Sequence, residues 1–198
     1  MHRRNVLRRG SWITQSACIP PPQVVFNSLM DKVARLLNDM VRAGVITDYA
    51  VFGAVAQMRY TEAVATLDAD ILVAIPQPEA LDLLTPIYAF CRNRGYQPEG
   101  EAIRVGDWPV QFIPAFSPLT SAAIRDAETG DVDGVPLRVV RADYLAIIAL
   151  SVGRAKDFAR VLALREAGAV TDAQISHLAA QHGLAPAWKT FLERFDAQ

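Results

Sequence analysis

Val25, Leu29, Val33, Leu36, Leu37 and Met40 recur at spacings of three and four between Gln23 and Ala43, the repeat of an amphipathic helix, and Gly44 ends it. Beyond Gly44 the period changes. Tyr49 to Phe52 is a short β-type run, Gly53 breaks it, and Ala54 to Tyr60 reads as a brief helix. Thr66 to Ile75, closed by Pro76-Gln77-Pro78, is the strongest strand pattern in the chain. A helical pattern begins at Glu79 to Leu84 and restarts at Thr85-Pro86, with proline in its first turn, running to Arg94 before Gly95. Glu101 to Val105 and Trp108 to Ile113 predict two strands joined by a Gly106-Asp107 hairpin turn. After a Pro- and Ser-rich connection, Val135 to Val140 predicts one more strand. Four helices then follow, Asp143 to Val152, Ala155 to Ala167, Thr171 to His182 and Pro186 to Phe195, punctuated by Gly153, Gly168 and Gly183.

The expected fold class is therefore α+β. A small mixed sheet backed by helices occupies residues 23–140, and a C-terminal helical subdomain occupies 141–198. Met1 to Pro22 has arginines, no acids, no periodic apolar face and three closing prolines, so it is expected to be a disordered extension. Arg8-Arg9 followed by Ser11-Trp12-Ile13 has a faint likeness to a twin-arginine export signal. The apolar stretch behind it is too short and too polar for one.

Composition narrows the class without naming a function. The 198 residues suffice for one domain with a sizeable core, or for one domain and a helical appendage. A net charge of -1 gives no basic signature for broad nucleic-acid binding, and no DNA sequence recognition is expected. Two cysteines, Cys18 and Cys91, make a disulfide framework an unsuitable reading and point to a reducing cytoplasm. No apolar run approaches the ~20 residues of a membrane span. His2, His177 and His182 do not cluster with acids or cysteines at ligand spacing, which argues against zinc.

The chemistry concentrates in Thr66-Leu67-Asp68-Ala69-Asp70-Ile71. On a strand, alternate side chains share a face, so Asp68 and Asp70 project together with α-carbons roughly 6.6 Å apart. Leu67, Ala69 and Ile71 are expected to bury the opposite face. Two ionised carboxylates that close repel, and they are tolerable together when partly solvated or when a hard cation such as Mg²⁺ bridges them through oxygen. A solvated strand edge satisfies the spacing equally well. The added signal is Gly53, which opens a short helix after a strand, where bare backbone permits a phosphate to approach.

With these residues, from Tyr49 to Leu164, the chain resembles the DNA polymerase β-like nucleotidyltransferase superfamily. The likeness is to small bacterial members related to minimal nucleotidyltransferases and abortive-infection toxins of toxin–antitoxin pairs. It rests on the Gly53 turn, Thr66-Leu67-Asp68-Ala69-Asp70, the Trp108-to-Pro114 strand and Gly153-Arg154-Ala155-Lys156-Asp157. The resemblance implies Asp68 and Asp70 as catalytic metal ligands for Mg²⁺ or Mn²⁺. It implies that Gly53, Ala54, Arg59, Thr66, Gln111 and Lys156 line a nucleotide triphosphate, with a protein, RNA or small-molecule hydroxyl as acceptor.

Two departures from the family pattern bear on activity. Ala54 places a methyl group in the turn, and Gln111 stands where a third carboxylate is expected; an amide carries no charge and is no general base. Glu99, Glu101 and Asp107 are nearby in sequence, and the sequence does not choose among them as a substitute. For Lys156, Arg160 and Arg154, a solvated basic face pairing with Asp157 or Glu166 competes with a triphosphate contact. Arg59 is divided in the same way between a surface role and phosphate. Two functions follow: a Mg²⁺-dependent nucleotidyltransferase, or a degenerate protein of the same fold that serves as a binding or regulatory partner, such as a toxin–antitoxin component.

Because Met1 to Pro22 offers no apolar face, its removal is expected to shift the melting temperature by less than about 4 °C, the equivalent of about 1 kcal/mol. Differential scanning calorimetry of the truncated chain checks this, and a larger drop would mean that the segment packs on the domain.

Overall fold

The computed structural model describes residues 22–62, 64–78, 82–106 and 108–196, with the backbone alone for 22–29. The expected extension up to residue 21, Cys18, the start of the helix expected at Glu79 and Asp107 all lie outside these residues.

Helix α1 (Pro22–Arg42) leads into β1 (Asp48–Val51), α2 (Gly53–Gln57) and β2 (Ala69–Ala74). Then come α3 (Thr85–Asn93), β3 (Gln97–Glu99), β4 (Ala102–Val105), β5 (Trp108–Pro114) and α4 (Pro118–Arg125). The hairpin β6 (Glu128–Val132) and β7 (Val135–Val139) precedes α5 (Ala142–Val152), α6 (Ala155–Glu166), α7 (Asp172–Gln181) and α8 (Ala185–Phe195). The strands form one seven-stranded mixed sheet in the order β3-β4-β5-β2-β1-β7-β6. Neighbours β2 and β5, and β1 and β7, run parallel; the other pairs are antiparallel. This is the α+β architecture expected from the hydrophobic pattern.

Burial along the central strands explains their sequences. Tyr49, Ala50 and Val51 of β1 and Ile71, Leu72 and Val73 of β2 are buried in succession, which requires cover on both sheet faces. Helix α4 packs on β1 and β2, α2 packs on β2, and α1 packs on β6 and β7 through a core that includes Met30, Val33, Leu37 and Met40. Helix α5 is buried at every position from Ala142 to Leu150, as befits a helix that is apolar all round, and it meets α2, α4, α6, α7 and α8. Tyr144 on α5 donates a 2.6 Å hydrogen bond to Asp126 at the end of α4. Arg165 ties the terminal helices together, donating to Asp172 at 2.8 and 3.0 Å and to Asp196 at 2.9 and 2.8 Å.

Several elements depart from the sequence reading. Strand β2 begins only at Ala69, so Thr66, Leu67 and Asp68 precede it, and Leu67 is 90% exposed rather than buried. Residues 82–84 are not helical, because the Asp82 carboxylate accepts the Thr85 N–H at 3.0 Å and turns the chain into α3. The Pro- and Ser-rich connection contains α4, started by a capping box in which Ser117 and Thr120 bond each other's backbone N–H. Strand β6 is a mostly exposed edge with no apolar alternation; Asp133 (φ 51) and Gly134 (φ 77) make the tight turn that pairs it with β7. Strand β3 is exposed throughout, so no period marks it. Among the described residues no helix is long and apolar enough to cross a membrane.

Because α5 is enclosed on all sides, Leu145→Ala leaves a cavity that its neighbours cannot fill. Chemical denaturation is expected to show a loss of about 2–5 kcal/mol.

Candidate functional site

Strand β1 ends at Val51, and the Phe52 N–H extends its pairing with β2 by donating to the Asp70 carbonyl at 2.8 Å. The chain then turns through Gly53 in the left-handed region (φ 64). The turn needs glycine for a second reason. A Cβ at position 53 would lie 2.3 Å from Asp70 Oδ2, so the carboxyl group rests directly against bare backbone. Ala54 follows on the first turn of α2 and is half-buried.

Asp70 lies in β2 beside Gln111 of β5, its register partner across the parallel pair. Val110 and Phe112 on either side of Gln111 are buried in the core, which turns the amide to the face that carries Asp70. Asp68 sits on the bend before β2. Thr66 donates its hydroxyl toward the Asp68 carbonyl at 3.0 Å and Oδ1 at 3.2 Å, so it positions the acid.

These groups open onto a cleft of about 290 Å³. Its sheet wall carries Asp68, Asp70, Gln111 and Ile113; α5 contributes Ile148, Ala149 and Val152, and the start of α6 contributes Lys156, Asp157 and Arg160, with Arg154 just before it. Gly153, left-handed at φ 72, ends α5 and directs α6 across the acids. The Asp157 carboxylate then caps α6, accepting from the Arg154 N–H at 3.2 Å and from its Nε at 2.8 Å. Burial holds the Asp70 carboxyl above its ordinary ionisation range, and the nearby Asp68 charge adds to this, while Arg160 and Lys156 oppose it.

A second depression, of about 380 Å³, shares Asp68 and Gln111 with the cleft and extends over Leu67, Glu101 and Pro109. Glu99 also borders it but is engaged by Arg104 at 2.6 and 2.8 Å. Among the described residues no group of three or more His, Cys, Asp or Glu side chains is placed to hold a metal ion. Glu99 and Glu101 therefore do not complete the pair.

No protein-family model matches the chain, and no curated protein matches it. Solved structures are similar to it at low identity. A crystal structure of an antigenic nucleotidyltransferase-like protein from Paracoccidioides brasiliensis gives a TM-score of 0.49 at 14% identity, over 83% of this chain and 92% of that one. The solution structure of the antibiotic-resistance factor ANT(2'')-Ia gives 0.44 at 14%, over 88% and 94%. The crystal structure of the Megavirus polyadenylate synthase gives 0.43 at 13%, over 85% of this chain and 41% of that one. What the cleft can do follows from its own residues.

Of the residues singled out in the sequence, Asp68, Asp70, Gln111 and Lys156 come together in the cleft. Thr66 reaches it through Asp68, and Gly53 through Asp70. Arg59 does not join them: it lies over Gly130 and pairs with Glu128 at 3.6 Å on edge strand β6. The residue that takes the buried basic position is Arg160. Its side chain is 15% exposed, and its Nε donates at 3.0 Å to Oε1 of Gln57, itself a buried polar residue on α2. Spacing alone put Arg160 on the face of Lys156, but nothing local marks Gln57 as its partner 103 residues away.

Gly53→Ala would combine backbone strain at positive φ with a collision at Asp70. A loss of about 1–3 kcal/mol on chemical denaturation is expected. Unaltered stability would mean that Asp70 moves aside from the new methyl group without cost.

Proposed function

We propose that the protein is a nucleotidyltransferase that moves a nucleoside monophosphate from an NTP to a hydroxyl on a protein, RNA or small molecule. The observation that carries this reading is that Asp68 and Asp70 share one cleft with Lys156 and Arg160. The donor set fits a hard divalent cation: two carboxylate oxygen groups, one of them held against ionisation by burial and by the other. Asp68 and Asp70 would hold Mg²⁺ or Mn²⁺. Such a cation supplies, when bound, Lewis-acid polarisation of a phosphoryl oxygen and neutralisation of developing charge.

The chain's own side chains account for the rest. Lys156 and Arg154 offer positive charge to triphosphate oxygens, and the bare Gly53 turn keeps the approach to Asp70 open. Ile148, Ala149 and the half-exposed Val152 form an apolar wall against which a nucleobase would pack. An acceptor hydroxyl would approach the same acids through the second depression, which borders Asp68 and Gln111.

One observation favours a second reading, in which the protein binds nucleotide without transferring it and acts as a regulatory component, for example in a toxin–antitoxin pair. Gln111 occupies the register position beside Asp70, and an amide cannot take the proton of an attacking hydroxyl. A panel of labelled NTPs with Mg²⁺ or Mn²⁺ and candidate acceptors separates the two readings.

Metal-dependent nucleotide binding requires the acids. Calorimetry is expected to show Mg²⁺-dependent NTP binding that falls at least about tenfold in the Asp68→Asn, Asp70→Asn double variant. Equal affinity in the double variant would remove the site. Gln111→Asp is expected to tighten Mn²⁺ binding and, under the transferase reading, to raise the rate of transfer.

A further inference from the structure

Six ionisable side chains line the cleft: the carboxyl groups of Asp68, Asp70 and Asp157 and the basic groups of Arg154, Lys156 and Arg160. Their formal charges cancel. Within that balance Arg160 is the unusual member. Lys156 is exposed and Arg154 is 61% exposed, so water attenuates both. Arg160 is 15% exposed, so its charge acts on the cleft with little solvent between.

Its fixed position comes from two elements. Gln57 on α2 accepts from its Nε at 3.0 Å, and Asp157 on its own helix stands 3.8 Å from its Nη1. Asp157 is 3% exposed and already accepts both the Arg154 N–H and the Arg154 Nε through Oδ2, so its charge is divided between two arginines. A guanidinium stays protonated in such surroundings, and this one is left with part of its charge unanswered. The remaining acid within its influence is Asp70, on β2.

We propose that Arg160 is a resident counter-cation of Asp70 in the acidic pair, positioned by Gln57 and Asp157, which opposes binding of a free divalent cation and favours a polyphosphate. The inference rests on the assignment of the acids as a cation site. It deepens that reading by making the cleft selective for a metal–triphosphate complex over either component. A bare cation meets a compensated pair of acids. A cation that arrives with a polyphosphate brings the negative charge that Arg160 and Lys156 can answer.

The test reads two ligands on one substitution, with no activity measured. Arg160→Met keeps most of the side-chain volume and removes the charge, leaving the cleft one unit more negative. Titration with Mn²⁺ alone, followed by electron paramagnetic resonance, is expected to show about tenfold tighter binding than in the unsubstituted protein. Calorimetry with inorganic tripolyphosphate, without metal, is expected to show about tenfold weaker binding. Arg160→Lys should restore both values toward those of the unsubstituted chain.

A purely structural role for Arg160 would move both affinities down together and would not be rescued by lysine; that result overturns the proposal. So does Mn²⁺ binding to neither protein. If Arg160→Met does not fold, as judged by circular dichroism, Gln57→Met releases the same guanidinium from α2 and is expected to shift the two affinities in the same opposite directions. The Asp68→Asn, Asp70→Asn variant separates the two levels of inference. Mn²⁺ binding that survives in it removes the cation site itself, whereas binding that is lost there but unmoved by Arg160→Met removes only the role of the arginine.

Discussion

Two carboxylates opening into one partly buried cleft repel each other, and burial penalises the ionised form of Asp70. The structure around Asp68 and Asp70 answers that constraint piece by piece. Gly53 gives Asp70 a bare backbone to rest on, which keeps the carboxyl at the end of β1 rather than splayed into solvent. Thr66 donates toward the Asp68 carboxylate, and α6 brings Lys156 and Arg160 to the opposite wall. Each contribution comes from a different element, so the electrostatics of the acids depend on the whole arrangement of strands and helices.

Helix α5 makes that arrangement rigid. Its buried length joins α6, α7 and α8 to α2 and α4, which pack on the sheet, and Gly153 at its end sets the direction in which α6 crosses the acids. If α5 shifted, the basic wall would move as a body relative to β2. The bond between Arg160 and Gln57 is a second tie between the same two regions, made across a sequence gap of 103 residues. Core packing and site electrostatics are thus coupled through two contacts, one apolar and one polar.

The elements with strong periodicity were legible in the sequence: α1, β1, the strand carrying Asp70, the β4 and β5 hairpin, β7 and the four C-terminal helices. Those that were not share a physical cause. Strands β3 and β6 lie at the two edges of the sheet, where side chains need not alternate between core and water, so their composition carries no period. Helix α4 begins with the Ser117 and Thr120 cap, a local signal present in the sequence but obscured by the surrounding prolines. Leu67 is exposed although strand alternation would bury it, because it stands ahead of the point where pairing of β2 begins and an unpaired residue has no obligatory face.

At the site, the split between legible and hidden follows the same logic. Asp68 and Asp70 are two residues apart, so their proximity is a local property, and the Gly53 turn announces itself by residue type. Arg59 is near Gly53 in sequence, yet its side chain, just beyond α2, turns toward Glu128 of β6 and away from the cleft. Arg160 and Gln57 could not be paired from sequence, since the contact exists only once α6 has folded back over α2. Gln111 lies between these cases: its alternation with Val110 and Phe112 fixes the face, but only the parallel register of β2 and β5 sets it beside Asp70. That register puts an uncharged amide where a fourth carboxylate would have made the cleft net negative. With glutamine there, the three carboxyl groups of the cleft are matched in formal charge by its three basic side chains.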